Sequence, residues 1–412
     1  MTRLGTLRAN HHQPPKRPLR QQCPHLILLL LVPCAAAQTF SQRGFLEFRN
    51  EIFPQTQIND SSHLISEALL RWEGLLKLPD DWQINASFDA RADTHDQFTR
   101  DARLDLLDQD PQRPALSLRR ISLTWHRGPI TIGLGRQFIR WGKADLINPE
   151  DRFAPRDFTN VLQPDYLGVT AARVTYEQGS ETLDAVYAPW FTPSRTPLFN
   201  ERWVPVPNLP DQGSQIPGRG QAGLRWNHLG AGYEFAVCYY DGFNHLPDLV
   251  PYVLRVYPRL RFYGGDFAVP TRWFTVKAET GYFQSPQRTT DQYLQYVVQL
   301  ERTSGEWFFV GGYTNEYVTD VRYSINFNPD RGLAKTFLGR ASYNLDANRT
   351  VAFEGAIRQN GDGGYAKAEY TQAIGSHWRA TASYTLLRGA AADFLGQYRR
   401  NSHFLLTLRY SF

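Results

Sequence analysis

Cysteine is nearly absent: the chain of 412 residues holds three, and Cys23 and Cys34 both fall in the first 37. Cys238 then stands alone, so an intrachain disulfide is excluded. Long hydrophobic runs are also missing, because the longest, Leu26 to Val32, is far short of the roughly 20 residues a membrane-spanning helix needs. An excess of one charge is lacking too. Five of the 45 basic side chains, Arg3, Arg8, Lys16, Arg17 and Arg20, lie in residues 1–37, which carry no acid, and the forty that remain equal the 40 acidic ones. A basic surface for nucleic acid is therefore dropped. The chain has no G-x-S-x-G, no H-E-x-x-H, no Cys/His metal spacing and no C-x-x-C-H, so no cofactor is expected. His63, His126, His228, His245, His377 and His403 are scattered. His95, beside Asp93 and Asp96, is the best acid/base pair a hydrolase could draw on.

What is present begins with a leader. Basic residues, the apolar run and Ala35-Ala-Ala37 read as a secretory signal peptide cleaved near Ala37, leaving residues 38–412 as the mature chain. Proline directly before Cys34 fits lipid modification poorly.

Beyond the leader, strand-like segments come in pairs. Short joints stand at 79–81, 127–129, 178–180, 227–230, 269–271, 303–305, 345–348 and 374–377. They alternate with joints at 54–62, 95–114, 142–166, 191–218, 244–254, 285–290, 320–332, 360–363 and 389–400, most of them longer. Eight short and nine further joints imply an all-β, transmembrane, antiparallel up-and-down β-barrel of eighteen strands, or sixteen if one has been split. Short periplasmic turns and longer outer loops are the asymmetry of such barrels.

Side-chain parity gives an independent check. Ala68, Leu70, Trp72, Leu76 and Leu78 oppose Glu67, Arg71, Glu73 and Lys77. Trp82, Ile84, Ala86, Phe88, Ala90 and Ala92 oppose Gln83, Asn85, Ser87, Asp89, Arg91 and Asp93. A cation on the lipid face near mid-membrane costs about 2–4 kcal/mol, so the charged parity marks the lumen. Trp82, Trp125, Trp226, Trp307 and Trp378 share the apolar parity near short turns and read as the periplasmic girdle. Trp273 shares parity with Lys277 and Glu279 and offends the pattern.

A barrel this wide leaves an aqueous channel unless loops plug it. The lumenal parity is rich in arginine: Arg255, Arg259 and Arg261 on one strand, with Arg173, Arg340, Arg358, Arg379 and Arg409 elsewhere. These arginines form either a salt-bridge lattice with the opposing acids or a ladder favouring anionic solutes. Gly133 and Gly135 could host a bulge that turns Arg136 and Arg140 inward; otherwise both sit at the outer rim facing lipopolysaccharide phosphates. Lys143, Asp145, Asp151, Arg152, Arg156 and Asp157 follow between prolines, a composition suited either to a loop folded inward as a constriction or to a rigid, purely structural outer loop. Asp145, Asn148, Glu150 and Asp151 offer oxygens to calcium but lack EF-hand spacing. The Pro-rich stretch 191–218 reads as an irregular outer loop able to cover the mouth.

Two segments carry a resemblance. Gly135-Arg-Gln-Phe-Ile-Arg-Trp-Gly142, running into Asn148-Pro-Glu-Asp151, is similar to a G-R-Q-x-x-x-W-G and N-P-x-D pattern in a largely uncharacterised group of Gram-negative outer-membrane barrels. More loosely, it resembles phosphate-selective and alginate-export porins. The tail, in which Phe404, Leu406, Leu408, Tyr410 and Phe412 share one face, resembles those of outer-membrane proteins whose terminal aromatic is read by the barrel-assembly machinery. The resemblance implies a bacterial outer-membrane, porin-like protein and transfers no substrate. The barrel's width is what argues for a channel for small hydrophilic solutes, anionic ones if the arginines form a ladder, set in outer-membrane lipid and lipopolysaccharide. By analogy with porins of this size a homotrimer is the expected assembly. A sheath around a partner protein and an outer-membrane hydrolase are the alternatives.

Overall fold

Strands that alternate apolar and polar side chains can face lipid only if every backbone N–H and C=O is paired, and a closed sheet is the arrangement that pairs them all. The computed structural model describes residues 39–207, 209–250, 254–322 and 327–412; the leader reading for residues 1–37 falls outside them. Eighteen strands close a single antiparallel sheet. In hairpin order they are β1 (Thr39–Ile52) and β2 (Leu64–Lys77), β3 (Trp82–Asp93) and β4 (Arg113–Arg127), and β5 (Ile130–Gln137) and β6 (Val169–Gln178). There follow β7 (Glu181–Ala188) and β8 (Gln221–Gly230), β9 (Tyr233–Phe243) and β10 (Arg259–Pro270), and β11 (Thr275–Gln284) and β12 (Gln292–Ser304). The last six are β13 (Trp307–Asp320), β14 (Thr336–Asn344), β15 (Arg349–Arg358), β16 (Gly363–Ile374), β17 (Trp378–Gly389) and β18 (His403–Ser411).

Closure joins β1 to β18 in the register Phe45↔Ser411 to Ile52↔Phe404. It is completed by Gly44 N donating to Phe412 O (2.9 Å) and Phe412 N donating to Gly44 O (3.0 Å). The tail predicted to close the barrel thus does so. Inside the seam, Arg409 Nε donates to Glu47 Oε2 at 2.7 Å.

The outward face is apolar: Phe48, Leu70, Leu224, Val237, Phe267, Leu300, Phe309, Phe337, Phe353, Leu406 and Leu408 are all exposed. An exposed belt of this extent is an aggregation hazard in water and the natural surface in lipid. Trp82, Trp226, Trp307 and Trp378 are exposed at the short-turn end, and Trp125 packs on Trp82 with ring centroids 6.1 Å apart. Trp273 ceases to be an exception, because β10 ends at Pro270 and β11 starts at Thr275, so it belongs to the turn and carries no strand parity.

Three expectations need correction. The turn expected at 227–230 lies at Ala231-Gly232, where Gly232 takes φ +85°, because β8 runs on to Gly230. The strand expected over 255–263 begins at Arg259 and runs to Pro270. Finally, β5 keeps an unbroken register from Ile130 to Gln137 against β6, so no bulge forms at Gly133 or Gly135. The register shift occurs instead between β3 and β4, at Ser87/Phe88, leaving Arg119 as the extra residue.

One further strand, Phe98–Arg103, pairs in parallel with β4 from Phe98↔Arg113 to Arg103↔Ser117. Its presence follows from β5. The chain leaves the wall after Gln137, which strips β4 of its partner above Ile121, and the outer loop supplies the missing edge.

Candidate functional site

Where β5 ends, the chain turns into the lumen, and the G-R-Q-x-x-x-W-G segment is the hinge. Gly135 has φ +110°, and a Cβ there would lie 2.4 Å from Ile121 O, so only glycine fits. Gln137 Nε2 donates to Ala171 O at 3.0 Å, closing the strand end with a side chain. Trp141 Nε1 donates to Asp184 of β7 at 2.8 Å. Asp151 Oδ1 accepts from Trp141 N and Gly142 N, both at 2.9 Å. A Cβ on Gly142 would sit 2.7 Å from Asn148 Cβ. The Asn and Asp of the N-P-x-D run therefore fold the loop back onto its own start.

From this hinge, residues 138–168 travel round the lumen, and their contacts follow the strand order. Lys143 Nζ pairs with Glu234 of β9 (2.6 Å) and Asp266 of β10 (3.1 Å). Glu279 of β11 accepts from Lys143 N (3.0 Å), Ala144 N (3.1 Å) and Glu150 N (2.7 Å). Gln299 of β12 accepts from Asp145 N at 2.9 Å, and Lys277 Nζ reaches the Asp145 carboxylate at 3.0 Å. Arg156 pairs with Asp330 (3.1 Å) between β13 and β14. On the far side Gln163 accepts from Arg49 of β1 at 2.6 Å. Asp165 accepts from Arg71 of β2 (3.1 Å) and Arg119 of β4 (2.9 Å). Among the described residues, no hydrogen bond or ion pair ties this loop to β14, β15 or β16. Apolar packing takes over at β16 and β17, where Tyr365 and Leu387 share a cluster with Val161 and Leu162 of the loop.

Apolar packing fixes the loop against the wall. Ile139, Trp141 and Phe153 join Val186, Tyr240, Phe262 and Phe283 in one buried cluster. Arg152 lies over the rings of Phe262 (5.3 Å) and Phe283 (4.8 Å), and so holds the loop down rather than lining water. Burial, and then the neighbouring Asp266 and Glu279 carboxylates, push the Glu150 carboxyl up to about 10. Glu150 accepts from Cys238 Sγ at 3.4 Å. Asp157 is buried between Arg113 (2.6 Å) and Arg195 (3.3 Å). Asp145 and Arg140 keep about half of their side chains exposed, and Arg140 stacks on Tyr166 at 4.3 Å. These two face open space. Both Asp151 oxygens accept from protein donors, Asn148 spends its amide nitrogen on Ala144 O, and among the described residues no group of three acidic, histidine or cysteine side chains converges as a metal site.

The mouth carries a second obstruction. Residues 191–204 are largely buried and cross from β7 to the opposite rim. Ser194 N donates to His245 O at 2.9 Å. Arg202 lies 3.7 Å over the Phe53 ring and donates to Gln55 O at 3.0 Å. Asn401 Nδ2 donates to Arg202 O at 3.1 Å. Beneath this segment lies a cavity of about 510 Å³ walled by Phe199, Trp203, Phe327 and Phe394. In it Arg331 pairs with Glu316 (2.7 Å) and Asp291 (3.0 Å).

The arginines singled out from sequence separate into three groups. Arg173, Arg340, Arg379 and Arg409 lie on the lumenal parity. Arg173 is paired with Asp184 (2.8 Å), and Arg340 with Glu354 (3.0 Å) and Glu369 (3.2 Å). Arg379 is level with Arg409 across β17 and β18. Arg358 also turns inward, but at the outer end, where it donates to Asp393 (3.0 Å) and to Gly332 O (2.8 Å) and pins two connections together.

Arg255, Arg259 and Arg261 are misplaced by the sequence reading. Arg255 is fully buried in a three-stranded outer sheet, pairing with Asp211 (2.7 Å) and lying over Phe199 (4.7 Å). Arg259 and Arg261 share the outward parity of β10 with exposed Tyr263 and Phe267, while Asp266 turns inward. The parity of Asp266 and Phe267 was the available signal. Arg136 likewise keeps the outward parity, opposite Ile121. It is buried because outer-loop Asp108 covers it and pairs with both Arg136 and Arg195. The wall anchors Asp184, Glu279 and Gln299 escaped the reading, although Glu279 was placed on the lumenal parity.

No known family model matches the chain, and no curated protein matches it. Solved structures do. A BenF-like porin from Pseudomonas fluorescens Pf-5 superposes with a TM-score of 0.55 at 11% identity, covering 91% of this chain and 98% of the other. OpdQ of Pseudomonas aeruginosa gives 0.53 at 11% identity, covering 92% and 98%. OccK9 (OpdG) of the same organism gives 0.52 at 12%, covering 91% and 98%. At such identities the likeness speaks for architecture, and that architecture is the outer-membrane porin barrel.

Proposed function

We propose that this chain is an outer-membrane channel that lets small hydrophilic solutes diffuse past a tethered inward loop. The observation that carries this reading is the loop 138–168 itself. It is fixed by polar contacts to the wall on β7, β9 to β12, β1, β2 and β4, and its Val161 and Leu162 share an apolar cluster with Tyr365 of β16 and Leu387 of β17. It thus narrows the lumen from most sides, while β14 and β15 lack a tie to it among the described residues. A lumen already holding this loop, under a mouth crossed by 191–204, is partly filled by the chain's own residues, which disfavours the sheath alternative. The hydrolase alternative has little support: His95 Nδ1 lies 2.9 Å from Thr94 Oγ1 and Nε2 3.9 Å from Asp60, and among the described residues no serine hydroxyl is bonded to any of the three.

Most lumenal arginines are paired, which favours the lattice reading over an uninterrupted basic ladder. Selectivity would fall to the remainder. Among the described residues, Arg120 and Arg379 have no carboxylate within ion-pair distance, and Arg379 adjoins Arg409. Rings of basic side chains select negative charge, so the lower lumen favours anions weakly. The G-R-Q-x-x-x-W-G resemblance agrees, because the segment builds the hinge of the constriction. Planar-bilayer recordings test both parts. Discrete conductance steps are expected, and Arg379→Glu with Arg409→Glu should move the reversal potential in a salt gradient toward cations. Absence of steps in any salt would refute the channel, and an unmoved reversal potential would refute the selectivity.

A further inference from the structure

Removing Arg259 and Arg261 from the lumen leaves two cations on the lipid-facing parity. They are not alone there. Arg219, just before β8, pairs with Asp241 of β9, and the same carboxylate is approached by Arg259 (3.4 Å) and Arg261 (3.7 Å). Three guanidinium groups converging on one carboxylate leave two positive charges in excess. The three arginines keep 48%, 36% and 45% of their side chains exposed, against 20% for Asp241. Arg259 Nε has no hydrogen-bond partner among the described residues. Directly below, Tyr239 and Tyr263 pack with ring centroids 5.2 Å apart on the outer face, and Val237 and Phe267 continue into the apolar belt.

The height of this cluster identifies its surroundings. Arg261 lies eight residues above Val269, the last outward residue before the periplasmic turn. That is ~27 Å along a strand, or ~20 Å along the membrane normal at a tilt of about 40°, near the top of an apolar band of about 25 Å. Arginine stems bridge the remaining distance by snorkelling. A guanidinium cluster on the outward face at this level meets lipid headgroups of the outer leaflet, where bidentate pairing to phosphate is its best match.

We infer that Arg219, Arg259 and Arg261 form a binding site for the phosphates of an outer-leaflet lipopolysaccharide, with Tyr239 and Tyr263 beneath its saccharide and acyl boundary. Asp241 holds the three side chains together and is the competitor that the phosphate displaces. The inference rests on placement in the outer membrane and not on solute passage; conductance measured without lipopolysaccharide separates the two.

The test uses the full folded chain in phosphatidylcholine nanodiscs, titrated with lipopolysaccharide and read by native mass spectrometry as lipid retained per barrel. The parent protein should retain lipopolysaccharide. The combined Arg219→Ala, Arg259→Ala and Arg261→Ala variant should lose about tenfold in retention, with folding checked by heat-modifiable migration. Replacing the three by lysine should restore part of it. Asp241→Asn, which removes the competing charge without touching the arginines, should tighten retention and covers the case in which the triple variant fails to fold. Unchanged retention in the folded triple alanine variant would overturn the site. So would equal binding of dephosphorylated lipopolysaccharide, equal displacement by phosphatidylglycerol, or unchanged or weaker retention in Asp241→Asn.

Discussion

The strongest single hold on the inward loop is Glu279, and replacing it should loosen the constriction. Its two carboxylate oxygens accept three backbone N–H groups of residues 143, 144 and 150 at 2.7–3.1 Å, and the side chain is almost wholly buried. Glu279→Ala strands three donors in a region closed to bulk water. Each unsatisfied buried donor costs about 1–3 kcal/mol, but the loop keeps Gln299, Lys277 and the Trp141 to Asp184 bond, and water can enter the vacated volume. Taking about 1.5 kcal/mol each, in the lower half of that range, docking weakens by about 4.5 kcal/mol, or roughly two-thousandfold in the undocked population. Hydrogen exchange should show residues 143–151 losing protection by that order while the strand amides are unchanged. Bilayer conductance should rise or flicker, because the loop no longer holds one side of the lumen. Glu279→Gln, which keeps one acceptor, should fall between. Unchanged exchange at 143–151 together with unchanged conductance would show that Glu279 does not hold the loop.

Two further outcomes follow from the hinge and the mouth. Gly135→Ala places a Cβ 2.4 Å from Ile121 O at a φ of +110°, a clash and a backbone strain of at least about 2 kcal/mol. It should lower the yield of heat-modifiable folded barrel, whereas Gly128→Ala, in an open turn with nothing within 4 Å, should cost less. At the mouth, burial and then the Asp60 and Asp93 charges push Glu201 up to about 8 from an ordinary value of 4.5. The docked segment therefore binds a proton that the undocked one releases. Its docking is fully favoured below about pH 4.5 and weakens as pH rises through about 8. Exchange in 198–206 should accelerate between pH 5 and 8, and Glu201→Gln should remove that dependence. A pH-independent parent would contradict the assignment.

How much of this was legible in the chain depends on whether a rule of local chemistry applies. Period-two alternation and turn residues act within a few positions, so eighteen strands, the closing role of Phe404 to Phe412 and the tryptophan girdle could be read directly. Parity propagates along an unbroken strand only. It failed at Arg259 and Arg261 because the true strand starts at Arg259, and residues 255–257 belong to the outer loop, so a parity counted from Arg255 was carried into β10 on the wrong phase. Arg136 failed differently: its parity was outward, as the pattern said, yet burial came from Asp108, 28 residues upstream, through a pairing no local rule anticipates.

The sequence by itself therefore determined a closed porin-type barrel of eighteen strands, because backbone pairing in lipid permits few other architectures, and it named the segment that turned out to fold inward as one of two readings. Only the tertiary structure decided where residues 138–168 run, which wall carboxylates capture them, and that three arginines near the outer rim face lipid. Those outcomes rest on contacts between residues dozens to more than a hundred positions apart, such as Glu279 with Lys143 and Arg195 with Asp108. Their partners are chosen by the closed geometry of the barrel and not by spacing along the chain.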